Sequence, residues 1–139
     1  MDCAPAAEER LRKQIRALLS SHEYVEFLVG RDGDFDRLAS SAIRSVRRSL
    51  DCRSCAHVLV LPYERAEHRE NREAFEDYCD EIEIYPGGGV HPKGAIQARN
   101  RYMVDRCDLL LCYVERENGG AWQTLCYARK RGKKIVNLA

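Results

Sequence analysis

The sequence has no strong charge surplus of either sign, no long apolar run, no internal repeat and none of the common phosphate-binding signatures. Its 23 lysines and arginines nearly balance 22 aspartates and glutamates, for a formal net charge of +1. The whole molecule therefore exerts no strong pull on nucleic acid or on an anionic membrane, and any such attraction must come from a local patch. No apolar stretch approaches the roughly 20 residues that span a bilayer, so no membrane partner is expected. Met1 to Arg16 is charged and lacks the apolar core of a signal peptide, which makes the cytoplasm the expected compartment. No linker or low-complexity tract divides the 139 residues, a length that suits one domain, residues 1–139, around one core. No glycine loop is followed by Gly-Lys-Ser/Thr, and GxGxxG is absent, which excludes a P-loop and the dinucleotide fingerprint.

What is present is the balance of a globular protein: 45% apolar and 32% charged residues. Seven cysteines stand at 3, 52, 55, 79, 107, 112 and 126. The count is odd and several lie in apolar stretches, so reduced thiols fit better than a disulfide framework. Cys52 and Cys55 form a CxxC with His57 close behind. A zinc or redox site is one reading, and a helix-to-strand connection with ordinary thiols is the other. No second CxxC or paired histidine motif completes a metal site, so neither metal nor cofactor is expected.

Helical and strand patterns alternate along the chain, which argues for α/β layering around a parallel sheet. The spacing predicts a helix over 7–19, with Leu11, Ile15, Leu18 and Leu19 on one stripe, then a strand over 24–29 stopped by Gly30. A second helix is expected over 36–50, where Leu38, Ala39, Ala42, Ile43, Val46 and Leu50 repeat at helical spacing. A buried strand follows over 57–61, ended by Pro62. The charged stretch 64–80 reads as a loop and then a helix around Ala74, Phe75 and Tyr78. Further strands are expected over 81–85, 109–114 and 134–138, with helices over 95–106 and 121–131. Pro86-Gly87-Gly88-Gly89 and 115–120 read as turns. The run 109–114 is apolar on both faces, as a central parallel strand would be. The expected fold is α/β: a Rossmann-like, doubly wound parallel sheet of five strands, order 3-2-1-4-5, with helices on both faces.

Such sheets bind ligands beyond the strand carboxyl ends, where the strand order reverses. Two glycine loops fall at that point. One is Gly30-Arg31-Asp32-Gly33-Asp34-Phe35-Asp36, and the other is Asn118-Gly119-Gly120-Ala121-Trp122-Gln123-Thr124. Glycine lets backbone approach a ligand, and free amides at a helix start favour phosphate. Each loop also reads as a tight turn, with Asp34 or Asp36 capping a helix. Steps of about 100° per residue on the helix over 95–106 put Ile96, Arg99, Asn100, Met103 and Cys107 on one face and Arg101 nearly opposite. A guanidinium on the core-facing stripe needs a partner. A ligand phosphate or carboxylate would serve, as would Asp34 or Asp36. Trp122 is either a core anchor or a platform for a base, with Tyr85 and Phe35 lining the same crevice.

Arg99-Asn100-Arg101-Tyr102-Met103, Asp108, the apolar strand, Gly119-Gly120 and Thr124 together resemble the lonely-guy phosphoribohydrolase pattern of the SLOG superfamily. That pattern is an R-K-x-x-M helix, a strand, then P-G-G-x-G-T-x-x-E. Phe27 through Asp36 and Lys133 through Leu138 are similar to small bacterial SLOG proteins. The likeness implies a ligand-binding set of Gly30, Arg31, Gly33, Asp34, Phe35, Arg99, Asn100, Gly119, Gly120, Ala121, Trp122 and Thr124. It also implies homo-oligomers. The departures bear on catalysis. Aligning on Thr124 puts Tyr127 where the enzymes carry their glutamate, and Asn118 replaces the proline. A phenol with a pKa near about 10 is no carboxylate base at neutral pH. If the chain is an enzyme, Glu115 is the candidate carboxylate, with Glu117 beside it.

The expected function is therefore a binding module for a nucleotide-derived small molecule, of the kind SLOG domains provide in bacterial signalling and phage defence. One alternative is a phosphoribohydrolase or related N-glycosidase. Another resembles the DNA-processing protein of natural transformation, which binds single-stranded DNA. Its support is the cluster Arg129-Lys130-Arg131-Gly132-Lys133-Lys134 and the face of Arg44, Arg47 and Arg48, without the interleaved aromatics that stack bases.

Overall fold

The computed structural model describes residues 5–31, 33–64, 79–87 and 92–139. The helix expected around Ala74, Phe75 and Tyr78 lies outside the described residues, as do Gly88 and Gly89 of the glycine run. In chain order the elements are α1 (Pro5–Ser21), β1 (Val25–Val29), α2 (Asp34–Leu50), β2 (Cys55–Leu61), β3 (Glu81–Ile84), α3 (Pro92–Arg106), β4 (Leu109–Cys112), α4 (Gly119–Lys130) and β5 (Lys134–Asn137). All strand pairs are parallel. No helix among the described residues is long and apolar enough to cross a membrane.

The helices form where apolar residues recur at helical spacing and turn that stripe inward. On α1 the buried residues are Ala7, Leu11 and Ile15, four apart. On α2 they are Ala42, Ile43 and Val46. Asp34 and Asp36 in the first turn of α2 and Arg47 and Arg48 in its last turn complement the helix dipole. The helix stops at Asp51, which takes a left-handed conformation with φ 47°. These two helices pack on one apolar cluster, which gathers Leu11, Ile15, Phe27, Val29, Ile43, Val46 and Leu138. Phe27 and Val29 face α1 and α2, so Glu26, alternating with them, points to the opposite side. There Arg106 of α3 reaches Glu26 at 2.9 Å and Glu83 of β3 at 2.6 Å. Helices therefore cover both faces of the β1-β2-β3 sheet.

The strand order differs from the expectation. β2 is the central strand, paired with β1 on one side and β3 on the other, while among the described residues β4 pairs only with β5. The parallel strands thus form two small sheets, of three and two strands, and not one five-stranded sheet in the order 3-2-1-4-5. Leu109 to Leu111 are half-buried, so the run read as a central strand is a short outer one. The reason is that an apolar run reports burial and leaves the hydrogen-bonding partner unspecified. Side chains join the sheets instead. Leu111, Tyr113 and Val136 pack on the cluster that holds Phe27 and Val29, and Arg10 Nε of α1 donates to the Leu138 carbonyl at 2.9 Å.

Beyond the last backbone pair of β4 and β5 the pairing continues through a side chain. Asn137 Oδ1 accepts from the Val114 N–H at 3.0 Å, and its Nδ2 donates to the Val114 carbonyl at 2.9 Å. The loop that leads to α4 starts from this rung.

Candidate functional site

Both glycine loops become helix starts at strand carboxyl ends. After β1 the chain passes Gly30 and begins α2 at Asp34 with Gly33 as N-cap, in extended conformation. After β4 it begins α4 at Gly119 with Asn118 as N-cap, also extended. Neither N-cap residue makes a side-chain capping hydrogen bond. Gly33, Asp34, Asn118, Gly119, Gly120 and Ala121 are exposed, so both sets of first-turn amides border solvent. Gly119 has φ +87°, a conformation that disfavours any side chain at that point.

The two starts differ in charge. The first turn of α2 carries Asp34 and Asp36, whereas that of α4 carries no acid. An anion is thus favoured at α4, where free N–H groups and the positive dipole end add together. Carboxylates at α2 suit hydroxyl or amine donors.

Helix α3 connects the starts from below. A Cβ on Gly30 would lie 3.0 Å from Arg99 Nη1 and 3.0 Å from Asp36 Oδ2, so the absence of a side chain there gives the guanidinium its place. A Cβ on Gly120 would lie 2.9 Å from Gln97 Nε2. Two residues of α3, a single helical turn, therefore touch both glycine loops. Gln97 was invisible to sequence reasoning, because a half-buried glutamine on a helix carries no pattern.

Arg99 is 2% exposed, on the inner face of α3, whereas Arg101 is exposed. The sequence placed both correctly. Part of the partner that a buried guanidinium requires is the protein itself: Nη1 donates to the Val60 carbonyl at 2.8 Å and Nε to Asn100 Oδ1 at 2.9 Å. These bonds hold the Arg99 guanidinium in place beside Gly30. Phe35 packs on the main core cluster, and Arg31 is half-buried.

On α4, Thr124 turns its hydroxyl back to the Gly120 carbonyl at 3.0 Å. Trp122 is half-buried under the Arg129 guanidinium, 5.5 Å from its ring centroid, which marks it as a cation–π partner on the helix surface. Tyr85 packs edge-on against Tyr102 with centroids 5.6 Å apart. Glu115 is exposed and accepts from the Tyr113 hydroxyl at 2.6 Å, so the candidate carboxylate is tied to its own loop. The Tyr127 hydroxyl donates to Asp105 at 2.9 Å, which raises its pKa. Asp105 sits near the C-terminal end of α3, so the position of the glutamate of the lonely-guy pattern points away from the glycine loops.

No protein-family model matches the chain, and no curated protein does. The site rests on its own geometry.

Part of the basic cluster is engaged. Arg131 pairs with Asp105 at 3.2 Å, Lys133 donates to the Asp105 carbonyl at 3.3 Å, and Arg47 pairs with Asp80. Among the described residues no group of three or more His, Cys, Asp or Glu is placed to hold a metal ion.

Proposed function

We propose that the chain is a SLOG-like binding module for a nucleotide-derived small molecule, held in the crevice between the starts of α2 and α4. One observation carries the reading: α3 lays Arg99 against Gly30 and Gln97 against Gly120, so both uncapped helix starts share one floor. A phosphate fits the acid-free start of α4, and the ligand's hydroxyls fit Asp34 on the other side. Binding without hydrolysis is the expected activity, since Tyr127 faces Asp105 and Glu115 is held by Tyr113.

The test is a thermal-shift series with nucleoside monophosphates, cyclic nucleotides and ADP-ribose, followed by calorimetry on whichever raises the midpoint. Gly120→Glu sets a carboxylate at the anion end and is expected to weaken binding at least about tenfold, the loss of one charge-assisted contact. The reading fails if no nucleotide shifts the midpoint or if Gly120→Glu binds unchanged. Overnight incubation with adenosine monophosphate is expected to release no free base by chromatography. Release that disappears in Glu115→Gln makes the protein an N-glycosidase instead.

We also propose self-association, on the SLOG resemblance alone. Sedimentation at high micromolar concentration tests it, and a single 16.0 kDa species rejects it.

A further inference from the structure

The crevice leaves one sequence motif unused, the CxxC of Cys52 and Cys55. It occupies the tight connection between α2 and β2. The left-handed residue Asp51 reverses the chain, the Cys52 N–H returns to the Arg47 carbonyl at 3.0 Å, and the Val25 N–H holds the Ser54 carbonyl at 3.2 Å. Cys55 then opens β2. Both ends of the turn are thus fixed by backbone hydrogen bonds, and the two side chains fall together. Cys55 is part of the apolar cluster under α2, and Cys52 packs against that same cluster. Cys55 is 5% exposed, whereas Cys52 is half-buried and reachable from solvent. Arg47 stands beside the pair and is shared with Asp80.

We propose that Cys52 and Cys55 form a thiol–disulfide site, closing to an intramolecular disulfide by exchange with a small disulfide of the glutathione class. Cys52, the outer thiol, gives up its proton and attacks one glutathione sulfur. The first glutathione leaves and takes a proton. Cys55 then attacks Cys52 Sγ, the bond to the second glutathione breaks, and that glutathione leaves with the proton from Cys55. Two protein thiols are oxidised and one glutathione disulfide is reduced to two thiols. Arg47 favours the transient Cys55 thiolate by its charge. Burial, and then the hydrogen bond with Cys52, push the Cys55 thiol up to about 11. A thiol of that kind is a poor leaving group, so the closed disulfide resists reopening. The pair is suited to holding a record of oxidation and not to rapid turnover.

The experiment equilibrates the full, reduced chain in glutathione buffers of rising oxidised fraction, quenches with acid, alkylates and reads peptides by mass spectrometry. The peptide carrying both residues is expected to lose two hydrogens. Its midpoint should move with total glutathione at a fixed ratio, because two glutathione thiols are released per bond formed. Cys52→Ser and Cys55→Ser should each abolish this, and Cys55→Ser should leave Cys52 carrying glutathione. The proposal is overturned if both thiols stay alkylatable throughout. It is equally overturned if Cys52 pairs with another cysteine, or if the wild-type product is a glutathione adduct whose midpoint follows the simple ratio.

Discussion

The three-stranded and two-stranded sheets are built by different means. In the first, β2 has a strand on each side, and Val58, Leu59, Val60 and Leu61 are at most 1% exposed. Backbone ladders and burial reinforce each other there. In the second, β4 and β5 have only each other among the described residues, their apolar residues are mostly half-buried, and side-chain packing joins them to the rest. The proposed binding crevice would lie on the seam between the two, with Gly30 after β1 on one side and Gly120 in α4 on the other. A seam held by side chains lets the start of α4 shift relative to the start of α2 without breaking a ladder.

The largest expected effect tests that contrast. Leu59→Ala should cost about 2–5 kcal/mol in urea unfolding, whereas Leu110→Ala, from a half-buried position, should cost less than about 2 kcal/mol. Equal losses would mean that the two sheets are equally consolidated. Next, Arg99→Ala removes the donor of the Val60 carbonyl and should cost about 1–3 kcal/mol of stability even without ligand. Arg101→Ala should leave stability within about 0.5 kcal/mol. If Arg99→Ala unfolds like the parent, the residue serves the ligand alone and the floor is not structural.

A milder test uses one thiol from each side. Burial is the leading cause that raises both Cys55 in β2 and Cys112 in β4 from 9.0 to about 11. The folded state thus holds these protons more tightly than the unfolded chain. Their contribution is complete below about pH 9 and is lost as pH rises through about 11. Urea midpoints taken from pH 8 to 11 should fall, and Cys55→Ala and Cys112→Ala should each flatten part of the decline. A decline that only Cys55→Ala flattens would show that the two-stranded side opens first. The smallest effect concerns the surface: Arg131→Ala should change stability by less than about 1 kcal/mol, since its ion pair with Asp105 is exposed.

The sequence was most legible where one physical demand fixed the answer. The apolar run of β2 required burial, the α2 stripe required a helix, and the helical phase of Arg99 separated it from Arg101. Strand order was not legible, because Leu109 to Leu111 have the same apolar character whether β1 or only β5 is their neighbour. At the site, the glycines announced helix starts, but the floor beneath them depends on a main-chain carbonyl, Val60, that has no residue code. The CxxC was legible as a motif and became informative only when the turn brought both sulfurs into one cluster.

Asn137 has a consequence for how the molecule ages. Its amide imitates a peptide unit and binds Val114 in both directions, so hydrogen exchange at Val114 should be as slow as within a strand although the residue lies outside one. Deamidation would replace the Nδ2 donor with an oxygen facing the Val114 carbonyl, turning an attraction into a repulsion. The loop from Glu115 to Asn118 would lose its anchor, and old protein would exchange faster at Val114 than fresh protein of the same sequence.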